Sequence, residues 1–499
     1  MNPLPTKCTG EEKLRVKLAG FNIDSGIMEQ LDPRGRWHLT PETISAAYAR
    51  ISRSPLSIDQ LRKKACLDVA KARESNQKII FEMGHHSVAE HAVFNFDIMG
   101  VSRLALEEIE KFRLVSYTEK SQRYVTLEGD CVTPTEIKTA RFKKIFHEII
   151  QKQNRFYFKA FAILNKRLQE QYRELSRSAA GQKLVEGWAK EDARYILSLA
   201  TSGQVGMTIN ARNLEHLFRR FRFSPRAEVR LLAEKLYALV LPIAPSIILF
   251  PEPSAFEREA FSAMDKGFQF LPRKATAAAD REPEIVCCSE NGDDLILASY
   301  LSIRNNFGFA RAMETVKKTS GAQKKILFMD FFKKIQFFNA PPREFEMADI
   351  TFQAIVSASN FAQLKRHRMA TLLSGPYIPE LGSTVPASLT AAGLGSEFQE
   401  IIEATNRAHG KIKEKFDAAA DYVLTNSHCR RVLMKMNLRE MYHFVRLRDD
   451  EHAQWDIRDL AHRLAEKVKV LMPLTAMMLC GKSGFAEEYK KIFQAPPPD

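Results

Sequence analysis

The chain has no Cys-x-x-Cys pair and no even set of cysteines. Its seven, at positions 8, 66, 131, 287, 288, 429 and 480, are scattered. Neither a disulfide framework nor a zinc ribbon is indicated, no metal is called for, and a reducing cytoplasm is the expected compartment. A long apolar run is also missing. The most apolar stretch, 236–250, falls short of the roughly 20 residues that span a bilayer and is interrupted by Pro242 and Pro245. It reads as a buried helix and its exit, so no membrane partner is expected. The first 13 residues contain no apolar segment of the kind that drives export, and export is not expected. Acid is in deficit: 60 Asp and Glu face 74 Lys and Arg, leaving a formal charge of +14. Such a balance favours an anionic partner, and by itself leaves nucleotides, nucleic acid and a membrane surface open.

What the chain does have is one signature twice. Asn-x-Arg-x-x-x-His occurs as Asn210-Ala-Arg212-Asn-Leu-Glu-His216 and as Asn437-Leu-Arg439-Glu-Met-Tyr-His443. Each copy is followed by Leu-Ala-Glu-Lys, at 232–235 and 464–467, and then by an apolar segment broken by Pro242 or Pro473. Upstream, Phe94-Asn-Phe96-Asp-Ile98 leads to Lys111-Phe-Arg113, as Ile350-Thr-Phe352-Gln-Ala-Ile355 leads to Arg366-His-Arg368. Order and approximate spacing both repeat, which is what an internal duplication leaves behind.

The length of 499 residues suits two domains. A first module is expected over 14–250, with short β-like runs at 16–21 and 92–99. A Pro- and Ala-rich connector follows over 251–283, then a second module over 284–485 and a flexible Pro-rich tail over 486–499. Phe142, Ile145, Phe146, Ile149 and Ile150 recur at helical spacing and read as a core stripe. From Arg113 to Asn210 is 97 positions and from Arg368 to Asn437 is 69, so the first copy carries an insertion, placed in the basic region 141–182. A structural role and a face for an anionic partner both suit that insertion.

Glu119, Ser121 and Arg123 alternate with other residues. In an extended segment they share one face, presenting a carboxylate, a hydroxyl and a guanidinium that suit a phosphorylated ligand with hydroxyl or amide groups. A solvated strand edge is the plain alternative. Gln363, Arg366 and His367 have the spacing of one helical face, with Arg368 next; arginines flanking a histidine suit anion recognition. His86 and His91 are five apart, the wrong spacing for a helical zinc pair. The run Arg219-Arg-Phe-Arg-Phe-Ser-Pro-Arg226 fits a helix end with solvated arginines, or a clamp for single-stranded nucleic acid.

Together these motifs resemble the flavin-dependent thymidylate synthases, the ThyX type. That family's signature runs Arg-His-Arg, two residues, Ser, one residue, Asn-Glu, one residue, Ser, one residue, Arg-Tyr. The first copy, Lys111-Phe-Arg113-Leu-Val-Ser116-Tyr-Thr118-Glu119-Lys-Ser121-Gln-Arg123-Tyr124, keeps the second half; the second copy keeps Arg366-His367-Arg368 and replaces the remainder, with Thr371, Ser374, Pro376, Ile378 and Pro379. Gly84-His85…Glu90-His91 resembles the family's upstream segment. Asn437 through Arg448 resembles its downstream one. An arginine precedes that downstream Asn by 16 residues in the family; here Arg194 holds the position in the first copy and Asp421 in the second.

The resemblance implies an α+β fold of two tandem ThyX-like modules, each a mixed sheet packed with long helices, forming a pseudo-dimer. The family enzyme is a homotetramer whose nucleotide sites draw residues from different subunits, so a homodimer of this chain would imitate it. One family set survives in the first copy as Glu119, Ser121, Arg123 and Arg194; the other survives in the second as Gln363 and Arg448. The resemblance assigns the deoxyuridylate (dUMP) phosphate to Arg123 and Arg194 with Ser121, and the uracil to Gln363 and Arg448. Arg448 and Ser121 are thus the candidates nearest the chemistry. It assigns FAD to Arg366, His367, Arg368 and Ser87, with Asn437, Arg439 and His443, and folate to His85. The implied reaction is the reductive methylation of dUMP to dTMP with methylenetetrahydrofolate and NADPH. Departures are Glu108 in place of the family Gln, His216 and His443 in place of Asn, and Pro341-Pro342-Arg343 where Gly-His is expected. A catalytically silent nucleotide or flavin binder and a flavin-folate RNA methyltransferase are the other functions the mixed signatures allow.

Overall fold

The computed structural model describes residues 8–9, 14–24, 40–51, 54–122, 130–268 and 281–498. The chain forms two compact units: one holds 1–274 with 385–425, the other 275–384 with 426–499.

The first unit is built on a four-stranded antiparallel sheet of β1 (Arg15–Phe21), β2 (Val93–Ser102), β3 (Ser116–Glu119) and β4 (Ser202–Asn210), in the spatial order β1-β2-β4-β3. Along β2, Phe94, Phe96 and Ile98 are buried while Asn95 and Asp97 face out, the period-two pattern of a sheet covered on one side. Val205, Met207 and Ile209 of β4 do the same, and Phe96 lies opposite Met207. Helix Ala227–Val240 adds Val229, Leu232, Leu236 and Val240 to that core, and the apolar stretch after it buries Ile247 and Ile248. The helical stripe expected from 142 onward lies on helix Ala140–Gln171, where Phe146, Ile149 and Ile150 are buried. That helix covers much of the region 141–182 in which the insertion is expected. It packs on helix Gly395–Lys413, with Phe156 against Phe398 at 5.8 Å and the buried Gln153 donating to Thr405 Oγ1 and the Val423 carbonyl, both at 2.9 Å. Part of the second copy's sequence thus completes the first unit.

The second unit repeats the plan. Strands β5 (Glu284–Cys288), β6 (Asp349–Ser357), β7 (Thr371–Tyr377) and β8 (Cys429–Asn437) lie in the order β5-β6-β8-β7, all antiparallel. Phe352 lies opposite Met434, as Phe96 does opposite Met207. The connections match too. Ser102 and Ser357 each cap the helix that follows their strand, accepting from the Ala105 and Asn360 N–H groups at 3.0 Å. Each serine hydroxyl also donates to a carboxylate at the start of a later helix, Glu228 Oε2 at 2.6 Å and Asp456 Oδ2 at 2.5 Å. Tyr422 donates to the same Glu228 oxygen at 2.7 Å.

Two segments differ from expectation. The connector 251–283 contains helix Ala255–Gly267, started by a capping box of Ser254 and Glu257 that answers two otherwise orphaned N–H groups. The expected tail opens with helix Phe485–Phe493, held by Tyr489 donating to the Lys333 carbonyl at 2.5 Å and by Lys469 on Glu488 at 2.7 Å. Proline content pointed to disorder there, but the prolines fall after the helix.

Candidate functional site

Asn210 and Asn437 end β4 and β8 and cap the next helices, Ala211–Arg222 and Leu438–Arg448. Each side-chain carbonyl accepts from the N–H three residues on, at 2.9 and 2.8 Å. The repeated asparagine is therefore a helix start. Arg439 is likewise engaged within its unit, donating to the Pro341 carbonyl at 2.8 Å and pairing with Glu346 at 2.7 Å. His443, one turn further, is exposed.

The second unit brings three candidates together. Helix Ala358–Leu364 ends before Arg366, so Gln363, Arg366 and His367 do not share the helical face their spacing suggested. The Arg366 N–H bonds to the Gln363 carbonyl and the His367 N–H to that of Leu364, tightening the chain into a turn that sends His367 inward and leaves Arg366 and Arg368 exposed. His367 is 5% exposed. Arg448 Nε donates to its Nε2 at 3.0 Å, and Arg448 Nη2 donates to the Gln363 carbonyl at 3.3 Å. A guanidinium has only donors, so Nε2 must accept and the ring proton sits on Nδ1, which faces Glu440 Oε1 at 3.4 Å. Burial, partly opposed by Glu440, holds the imidazole below the usual histidine range and keeps it neutral. Gln363 is buried against Gln454, the residue just before helix Trp455–Leu471, at 3.3 Å. The result is a neutral amide pair and one cation held in a fixed orientation, an arrangement suited to a flat polar ring with carbonyl acceptors.

Glu119 ends β3 and is gripped by the buried Arg103 guanidinium at 3.1 Å. Ser121 lies just beyond the strand, and Arg123 falls outside the described residues. Arg194 is 7% exposed and its Nε donates to the Glu191 carbonyl at 3.3 Å. His85 and Ser87 are exposed, the serine within the short helix His86–His91. Among the described residues no group of three or more His, Cys, Asp or Glu side chains is arranged to hold a metal.

The corresponding positions of the first unit are filled differently, and in matched pairs. Counting from the repeated asparagine, Phe221 stands where Arg448 does; counting from the upstream signature, Phe112 stands for His367 and Glu108 for Gln363. Phe112 and Phe221 meet edge to face at 5.8 Å, so an apolar pair replaces the histidine–arginine pair. Arg226 precedes helix Ala227–Val240 as Gln454 precedes its own, and its guanidinium reaches Glu108 at 3.4 Å and Asp421 at 3.0 Å. Asp421 occupies the position of Arg194. His409 lies 3.3 Å from it; burial alone would push its carboxyl up, but His409 and Arg226 hold it below the usual carboxylate range. An internal charge bridge, Glu108–Arg226–Asp421, thus stands where the other copies of these positions hold the Gln363–Gln454 amide pair and the buried Arg194. Glu440 and Gln454 were not singled out from the sequence, and Arg226 was read only as part of the basic-aromatic run, not as an ion-pair partner of Glu108 and Asp421. Their partners lie 73 to 195 positions away, at distances no local periodicity encodes.

Comparison with known proteins follows the same two-fold pattern. The family model for thymidylate synthase complementing protein matches residues 37–246 and again 290–474. A flavin-dependent thymidylate synthase of Geobacter sulfurreducens is 35% identical over 214 residues, covering 42% of this chain and 80% of its own. A UPF0159 protein of Chlamydia muridarum is 23% identical over 499 residues and covers 92% of both chains. Among solved structures, the UMP/dUMP methylase PolB from Streptomyces cacaoi aligns with 50% of this chain and 95% of its own at 18% identity, with a TM-score of 0.32 that carries no weight by itself. On the strength of the two family matches and the Geobacter relative, the chain belongs to the flavin-dependent thymidylate synthase family.

Proposed function

We propose that this protein is an FAD-dependent thymidylate synthase that methylates dUMP reductively, with methylenetetrahydrofolate and NADPH, at a nucleotide site drawing its residues from both copies. Glu119, Ser121, Arg123 and Arg194 come from the first copy, Gln363 and Arg448 from the second. The observation that carries this proposal is the opposite fate of equivalent positions. Gln363, His367 and Arg448 are linked in the second unit, whereas Glu108, Phe112 and Phe221 stand at their places in the first. Loss has fallen in matched pairs, leaving one full complement.

Arg194 and Arg123 would neutralise the phosphate, and the Arg448 guanidinium, aimed by neutral His367, would hold and polarise the uracil carbonyl. Reduced FAD supplies the reducing electrons when bound. The donor set fits a dinucleotide in part: Arg366 and Arg368 are exposed cations on one turn, and the exposed His443 has its ring 5.8 Å from that of His367, which lies between them in sequence. Asn437 and Arg439 already cap a helix and pair with Glu346, so any flavin contact they make would be a second role. A homodimer in place of the family tetramer, and a cytoplasmic location, complete the proposal.

The test is tritium release from 5-tritiated dUMP by the full chain given FAD, NADPH and methylenetetrahydrofolate. Release that disappears in Arg123→Ala and in Gln363→Ala supports a site drawn from both copies. No release from a protein that carries flavin would leave a silent binder, and activity surviving Gln363→Ala would remove the second copy from the site.

A further inference from the structure

Beside the charge bridge of the first unit lies a cavity that the proposed reaction does not use. Its volume is about 510 Å³, within the range of roughly 300 to 1,000 Å³ typical of small-molecule sites. Its wall is aromatic: Phe112, with the His216 ring 5.7 Å away at a right angle, and Phe223, which is 41% exposed. Its rim is cationic, with Lys111, Arg219, Arg220 and Arg258.

The two carboxylates of the lining are already answered. Glu108 is held by Lys111 at 3.0 Å and Arg226 at 3.4 Å, and Glu257 by Arg219 at 3.8 Å. Among the described residues, Arg220 and Arg258 have no carboxylate within ion-pair distance. Two guanidiniums beside a ring-lined hollow separate a place for charge from a place for a flat apolar body. An inorganic anion would leave the rings unused, and a neutral aromatic would leave the arginines unused.

We infer that this cavity binds an anionic aromatic ligand, such as a phosphorylated ring compound, and that it does so without acting on it. Turnover is ruled out by its neighbours: Glu108 is tied into the bridge to Asp421, and the positions of His367 and Arg448 are the phenylalanines 112 and 221. The site is therefore a ligand-binding site contained in the first unit, sharing no residue with the proposed catalytic one.

The experiment is a fluorescence titration of the full chain with 1-naphthyl phosphate, with dUMP present to occupy the proposed catalytic site. Saturable binding is expected, weakened about ten-fold or more by Arg220→Ala and by Arg258→Ala, a loss equivalent to one charge-assisted contact. Arg220→Lys should retain more affinity than Arg220→Ala, and Arg311→Ala, at an exposed arginine of the other unit outside the proposed catalytic site, should leave binding unchanged. Both arginines are exposed, and an unchanged unfolding midpoint checks that the variants fold. Binding that is absent, that ignores both the Arg220 and the Arg258 changes, or that is lost in Arg311→Ala would overturn the inference. So would displacement by inorganic phosphate at equal concentration, because the aromatic wall would then contribute nothing.

Discussion

The Nε–H of Arg448 points at Nε2 of His367 from 3.0 Å, and this contact fixes the histidine as a neutral acceptor inside the second unit. The first unit holds Phe221 and Phe112 at the same two positions. A polar pair and an apolar pair are each self-consistent, whereas a mixture is not.

That predicts strong coupling. His367→Phe removes the acceptor of a partly buried guanidinium and should destabilise the protein by about 1–3 kcal/mol. His367→Phe with Arg448→Phe should cost less than the sum of the single changes, because an aromatic contact replaces the unmet donor. Urea unfolding of the two single variants and the double variant measures it; additive effects would show that the two positions are independent.

The same histidine gives a pH dependence. Its folded pKa lies below the ordinary value, so the unfolded chain takes up the proton first. Its contribution to stability is present above the unfolded pKa near 6.5 and is lost as pH falls through the folded value. Unfolding midpoints should decline more steeply below neutral pH in wild type than in His367→Gln. Equal slopes would mean that His367 is not buried in its neutral form.

Arg226 is the cation between Glu108 and Asp421. Arg226→Ala leaves two carboxylates with less compensation and should lower stability by about 1–3 kcal/mol, less than for a fully buried pair because both ion pairs are partly solvated. The depressed Asp421 carboxyl contributes stability above its unfolded pKa, and that contribution is lost as pH falls through its folded value. Wild type and Arg226→Ala should therefore converge at strongly acidic pH. Tritium release should change little, since Arg226 lies outside the proposed site; a loss matching that of Gln363→Ala would mean that the first unit's bridge is part of the working site.

Asn437 separates a capping role from a flavin contact. Asn437→Ala should cost about 1 kcal/mol in the protein freed of flavin, and Asn210→Ala about the same. If the Asn437→Ala penalty appears only when FAD is bound, the cofactor contact rather than the cap is what the residue supplies.

The sequence by itself determined the repeated signature, the β-like run around Phe96, and the family signatures divided between the two copies. Each is written in residues close together, where the periods of strand and helix convert order directly into a buried face. The capping role of Asn210 and Asn437 was in principle legible too, since asparagine before a helix accepts its orphan N–H groups. Tertiary structure alone decided the remainder. It placed 385–425 with the first unit, turned His367 inward after a helix too short to carry it on one face with Gln363, and set Arg226 on Asp421, 195 positions away. Ion pairs and burial at such separations depend on which distant surfaces pack together. Local sequence supplies the charges but not their partners.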